Sequence, residues 1–259
     1  MHCMEREPSK RFSDLVELVD ILRRECPWDR KQTHDSIKDN LIEEAYEAVD
    51  AIDRRDFEEL KKELGDLLLH VLFQAKLADE TGRFTVEEVV YGIQEKLIRR
   101  HPHVFDNVEV DNEEQVARNW ESIKLKEGKK SVLDGLPKHL PALIRAQRMQ
   151  EKAANVGFDW PEHEQVWDKL EEELHEFREA VSEADKQKSA DEYGDLLFSL
   201  VNYGRFFDLN AEDSLRLTNT KFEQRFRYIE EKLAENDQKI DEVSLEVMDR
   251  YWNEAKNSD

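Results

Sequence analysis

The 259-residue chain is predicted to be all-α and built from two related halves, on three observations. Gly and Pro number only 8 and 6, while Glu, Leu, Ala, Lys and Arg abound, a composition that favours helices. Apolar residues recur at helical spacing with little Val-Ile-Thr alternation, so no segment reads as a strand. An acidic pattern then occurs twice. Glu43-Glu44-Ala45-Tyr46-Glu47 is followed after fifteen residues by Glu63-Leu64-Gly65-Asp66; Glu172-Glu173-Leu174-His175-Glu176 is followed at the same spacing by Glu192-Tyr193-Gly194-Asp195. Each residue of the second copy stands 129 positions after its counterpart, and Gly-Asp-Leu-Leu is shared, which points to an internal duplication.

The elements follow in order. Phe12, Leu15, Val16, Val19 and Leu22 mark a first amphipathic helix that stops at Cys26-Pro27-Trp28-Asp29. Thr33 or Asp35 is expected to cap the next helix, whose apolar stripe of Leu41, Ala45, Ala48, Val49 and Ile52 has Glu44 at its flank. Asp56 is expected to cap the helix that carries Glu63 and Asp66. A turn at Thr81 to Phe84 leads into a helix from about Val86 to Arg100, broken at His101-Pro102-His103, with a further helix around Trp120 and Lys124. The order then repeats: a helix from Ala142 to about Asn155, a break at Val156 to Trp160, an acidic helix to about Ala184, then helices over Ser189–Phe207 and Ala211–Asn236, and a last one holding Trp252 and Lys256. Domain boundaries are set at residues 1–127, a linker at 128–141 containing Gly128, Gly135, Pro137 and Pro141, and residues 142–259.

Charge and cysteine content narrow the function classes. A net charge of −22 disfavours a nucleic-acid backbone as partner, but not a nucleotide that arrives with a divalent cation. Two cysteines make no disulfide framework, the start lacks a signal-peptide core, and the most apolar run, Leu67 to Phe73, falls far short of the roughly 20 residues a membrane span needs. The cytoplasm and no membrane partner are therefore expected.

Residues three apart share a helix face, so Glu44 with Glu47 and Glu63 with Asp66 form pairs that a helix hairpin brings together; Glu173 with Glu176 and Glu192 with Asp195 repeat them. Four carboxylates are an all-oxygen cage suited to Mg²⁺, with Mn²⁺ as substitute. Cations repeat alongside: Lys96 and Arg100, Lys221 and Arg225, each four apart, and Trp120 with Lys124 against Trp252 with Lys256. A Lys and an Arg one turn apart can reach successive phosphates, and an indole can stack on a base or fill a core. Gly65 and Gly194, costing about 1 kcal/mol each in a helix, point to close approach of a neighbouring helix beside the metal, or to plain packing. A metal cage beside cationic side chains, with no Gly-rich phosphate loop, Rossmann fingerprint or Cys or His nucleophile set, suggests metal-assisted attack of water on a phosphoanhydride.

These acids, with Cys26-Pro27-Trp28-Asp29, Arg99 to Phe105, Asp134 to Gln147 and Asn155-Val156-Gly157-Phe158-Asp159-Trp160, resemble the tandem-domain bacterial MazG nucleoside triphosphate pyrophosphohydrolases over nearly the whole chain. The resemblance implies two four-helix-bundle domains in a homodimer. It also implies Mg²⁺-dependent cleavage of nucleoside triphosphates between the α and β phosphates, with broad base tolerance. It assigns metal binding to Glu44, Glu47, Glu63 and Asp66 and to Glu173, Glu176, Glu192 and Asp195, and nucleotide contact to Lys169, Lys188, Lys221, Arg225, Trp252 and Lys256. The first half has Asn40 opposite Lys169 and Glu59 opposite Lys188, so the second half is expected to be the main nucleotide site. Glu172, free of assigned ligation, is a possible general base, whereas His175 has Tyr46 as its counterpart.

Two rival readings remain from the residues alone. Glu172-x-x-His175 matches one element of a di-iron carboxylate bundle, yet neither Glu63-x-x-Asp66 nor Glu192-x-x-Asp195 supplies the second. An acidic helical adaptor for a basic partner explains the charge and leaves the duplicated cations unexplained.

Overall fold

Helices make up every extended regular element that the computed structural model describes, over residues 7–110, 112, 115–116, 119–120, 122–123, 127–128 and 130–257. We number them α1 (Phe12–Glu25), α2 (Lys38–Asp53), α3 (Phe57–Asp79), α4 (Val86–Arg100), α5 (Pro102–Phe105), α6 (Ala142–Ala154), α7 (His163–Ser182), α8 (Lys186–Arg205), α9 (Ala211–Glu235) and α10 (Leu245–Lys256). The all-α expectation holds. Lys124 lies outside the described residues. No helix among the described residues is long and apolar enough to cross a membrane.

Local chemistry sets most helix ends. Thr85 and Glu88 close a capping box on α4, Asp56 accepts from the Glu59 backbone N–H, and Asn210 accepts from that of Asp213. Asp185 accepts from the backbone N–H groups of both Gln187 and Lys188, so α8 begins at Lys186, ahead of the expected Ser189. The start of α2 departs from expectation: Ile37 occupies the cap and no side chain bonds there. Thr33 and Ser36 instead bond each other's backbone N–H, and Asp35 pairs with Lys38 at 3.1 Å. The short helix α5 forms where a plain break was expected, with Pro102 in its first turn, where a missing N–H costs nothing.

The chain forms two compact units, Met1–Glu109 and Val110–Asp259. In the first, α3 packs against α1, α2 and α4, and Val19, Ile37, Leu72, Phe73 and Leu77 form the core. In the second, α7 packs on α8, α6 bridges α8 and α9, and α10 lies on α9, where Ile229, Leu233 and Tyr251 are buried. Leu233 alone contributes about 2 kcal/mol of burial. Residues 130–141 are tied to this unit: Lys152 Nζ donates to the Val132 carbonyl at 3.0 Å.

Each unit contains an acidic helix hairpin, α2–α3 and α7–α8, and the two turns correspond residue for residue. Arg55 and Ala184 adopt left-handed φ of 54° and 57°, and the next residue, Asp56 or Asp185, caps the following helix. The duplication in sequence is therefore a duplication of backbone.

Candidate functional site

The α2–α3 turn sets the acids of the two helices against each other. On α2 the buried face runs through Leu41, Glu44, Ala48 and Ala51, while Ala45, Val49 and Ile52 are exposed. The face is thus rotated from the apolar stripe read in sequence, and Glu44 lies within it, not at its flank. The packing partner, α3, decides which side turns inward, and α3 presents Glu63. That residue is only 6% exposed. Carboxylate oxygens of Glu44, Glu63 and Asp66 lie within 4.8 Å of one another, and Glu47 bonds Glu63 from α2. Burial first, then a hydrogen bond that the protonated Glu63 donates to Glu59, and then the charge of Glu47, push the Glu63 carboxyl up to about 7.

The α7–α8 hairpin repeats this arrangement. Oxygens of Glu173, Glu176 and Glu192 lie within 4.8 Å of one another, and Asp195 acts on Glu192 through its charge. Burial, followed by the charges of Glu176, Glu173 and Asp195, raises the Glu192 carboxyl, while Lys188 opposes that rise. Glu173 is the buried acid here, again 6% exposed. Unlike Glu63 it has a cation: Lys169 Nζ sits 2.8 Å from Glu173 and 3.0 Å from Glu172. Those two hydrogen bonds raise the Lys169 ammonium above its ordinary range. Glu172 is exposed and held by this lysine. Lys188, one turn before Glu192, pairs with Glu183 at 3.1 Å.

A cavity of about 580 Å³ opens beside this second set of acids. Glu173, Lys169 and Asp195 contribute to its lining, with Phe158, Trp160 and Phe198 as aromatic walls. Arg205 and Asp159, also in the lining, form an ion pair that ties α8 to the loop before α7. The break at Val156 to Trp160 was legible in sequence, but its use as a cavity wall was not. In the first unit, the grooves along α1 and α4 are lined by residues such as Val16, Val86 and Tyr91 and contain none of the four acids.

The remaining predicted contacts form a separate group. Arg225 on α9 lies over the Trp252 ring of α10 at 5.6 Å, and Trp252 packs on Phe222 and against the Ile229–Leu233–Tyr251 core. Lys221 and Lys256 are exposed, one turn from Arg225 and Trp252 respectively. Lys169 and Lys188 thus stand with the α7–α8 acids, whereas Lys221, Arg225, Trp252 and Lys256 belong to the α9–α10 pair.

The expected reason for the hairpin glycines is not met. A Cβ on Gly65 or Gly194 would touch nothing within 4 Å, so among the described residues no helix approaches closely there. Both glycines are exposed.

Oxygen donors converging from two helices, with the Glu63 and Glu192 carboxyls raised by burial and neighbouring charge, fit a hard divalent cation: binding would relieve the repulsion and satisfy the buried oxygens. An all-α protein with such an acidic hairpin in each half is the class that fold and site define. The MazG nucleotide pyrophosphohydrolase domain matches it twice, at residues 32–105 and 161–229. A nucleoside triphosphate pyrophosphohydrolase/pyrophosphatase MazG of Thermotoga maritima is 45% identical over 253 residues, 96% of each chain. A nucleoside triphosphate pyrophosphohydrolase of Escherichia coli K12 is 43% identical over 242 residues, 90% of this chain and 91% of that one. An uncharacterised Bacillus subtilis protein, YabN, is 48% identical over 254 residues, 96% of this chain and 52% of its own length. The chain belongs to the MazG family.

Proposed function

We propose that the protein hydrolyses nucleoside triphosphates at the α–β phosphoanhydride, giving nucleoside monophosphate and pyrophosphate, with Mg²⁺ as cofactor and broad tolerance of the base. The names of its close relatives support the pyrophosphohydrolase reading. One observation favours α7–α8 as the main site: acids, an ammonium group and a nucleotide-sized cavity share Lys169, Glu173 and Asp195. Glu173, Glu176, Glu192 and Asp195 would hold the cation there, and Glu44, Glu47, Glu63 and Asp66 in the first unit. Bound Mg²⁺ supplies Lewis-acid chemistry, acidifying water and shielding phosphate charge.

The chain's own residues do the rest. Lys169 and Lys188 neutralise phosphate oxygens, and Lys169 leaves Glu173 and Glu172 to do so. Release of that ion pair frees the Glu172 carboxylate to take a proton from the attacking water as it adds to the α-phosphorus. The bond from the α-phosphorus to the bridging oxygen breaks and pyrophosphate departs. Lys221 and Arg225, with Trp252 and Lys256, form a second cationic group for the distal phosphates. We assign the protein to nucleotide-pool housecleaning in the cytoplasm, as a homodimer, with no nucleic-acid or membrane partner.

Incubation with Mg²⁺ and each of several nucleoside triphosphates tests the reaction. Pyrophosphate and monophosphate are expected as products; orthophosphate with diphosphate would overturn α–β cleavage. Light scattering checks the dimer.

A further inference from the structure

The α7–α8 cavity contains a group that the chemistry above leaves unused. Gln150 on α6 lines it and is 7% exposed. Its Nε2 donates to the Phe198 carbonyl oxygen at 2.8 Å. A carbonyl only accepts, so turning the amide round would set two oxygens against each other, and the orientation is fixed. Gln150 Oε1 is left as a committed acceptor, buried and without a hydrogen-bond partner in the protein. Buried acceptors are satisfied in folded proteins as a rule, and one that is not calls for a partner.

Position says what that partner is. Along α8 the cavity is lined by Asp195, Phe198, Ser199, Asn202 and Arg205, so it runs from the acids for more than two helical turns. A nucleotide whose phosphates meet a cation held at Glu173 and Asp195 would extend its base along α8, between aromatic walls and past the peptide that Gln150 grips. We propose that the base occupies this cavity and that the Gln150 side chain, whose Oε1 is closed over in this structure, yields enough on binding for Oε1 to accept a hydrogen bond from an N–H on the base's pairing edge. This rests on the nucleotide reading above and adds a specificity residue to it. Each common base carries such a donor: an amino group on adenine and cytosine, both kinds on guanine, a ring N–H on uracil, thymine and hypoxanthine. A single acceptor between aromatic faces thus takes all of them. What it rejects is a base with no pairing-edge N–H, because the acceptor then stays orphaned.

Purine riboside triphosphate, which carries hydrogen in place of the 6-amino group of ATP, is that substrate. For the wild-type protein with Mg²⁺, kcat/KM for pyrophosphate release is expected to favour ATP by about tenfold. In Gln150→Leu, which keeps the bulk and removes the acceptor, the ratio should fall to about one. A wild-type ratio near one overturns the proposal, as does a Gln150→Leu protein that turns over both substrates more slowly with the preference intact. Should that variant not fold, the wild-type ratio decides alone. Calorimetric binding of AMP against purine riboside monophosphate reads the cavity without hydrolysis. Preference for AMP in a protein that releases no pyrophosphate would refute the reaction and support the base site; equal affinities would refute the base site whatever the turnover.

Discussion

The two acidic hairpins share a backbone and differ in charge. Both turn on a left-handed residue followed by a capping aspartate, and both bring three acids from two helices together. At α7–α8 the buried acid, Glu173, is bonded by Lys169, and Lys188 moderates Glu192. At α2–α3 the buried acid, Glu63, meets Glu59, a further carboxylate whose nearest cation, Lys62, pairs with it at 2.6 Å. Hairpin geometry accordingly gathers acids from two helices in either half; on the proposed reading, positions 169 and 188, against 40 and 59, decide whether a polyphosphate is welcome beside them. An ammonium group near a cage compensates triphosphate charge; an extra carboxylate repels it.

The largest expected effect separates the halves outright. Glu192→Ala with Asp195→Ala should cut pyrophosphate release by more than about 100-fold, while Glu44→Ala with Glu63→Ala should leave most of it. The opposite outcome would move the main site to the first unit. Next comes the lysine: Lys169→Met should lower kcat/KM for ATP by about tenfold, mainly through KM, since one charge-assisted contact to phosphate is lost. Because Lys169 competes for Glu173, the same change should leave Mg²⁺ affinity equal or tighter, measured by calorimetry. A weaker Mg²⁺ affinity would mean that the lysine builds the cage and does not face the phosphates. Asn40→Lys with Glu59→Lys sharpens the contrast from the other side: it should add nucleotide binding to the first unit in a protein whose α7–α8 acids are replaced.

Much of this contrast was legible in sequence because it is local. Helical spacing places Glu44 with Glu47 and Glu192 with Asp195, and aligning the halves exposes Asn40 against Lys169. Element ends were legible where one side chain sets them, as at Asp56, and not at α2, where the cap is apolar. Counting apolar residues misplaced the buried face of α2, because burial follows from which side α3 covers. Gln150 was out of reach altogether: its meaning depends on a bond to Phe198, 48 residues away, and on the cavity between them.

Cation binding should also appear as stability. If the acids hold Mg²⁺ as proposed, the ion would relieve repulsion in the folded state and find no comparable site in the unfolded chain, so adding it should raise the thermal midpoint by about 2–4 °C for each kcal/mol of linkage. Removing the α7–α8 acids should abolish part of that shift and removing the α2–α3 acids the remainder. A shift lost entirely with one pair would show that only one hairpin binds the ion.

The smallest effect comes from the glycines beside the cages. With nothing within 4 Å of an added Cβ, Gly65→Ala and Gly194→Ala should each gain up to about 1 kcal/mol from helix propensity and lower unfolded-state entropy, read as a higher denaturation midpoint. The two need not agree in activity. If Gly194→Ala stabilises the protein yet slows turnover while Gly65→Ala does neither harm, then something outside this chain, the substrate or a second copy, comes against Gly194 alone. That would locate the working surface on the second hairpin by a route independent of its charges. Equal stabilisation with unchanged turnover would instead mean that both glycines face open solvent in the working enzyme, and the difference between the halves would rest on the lysines.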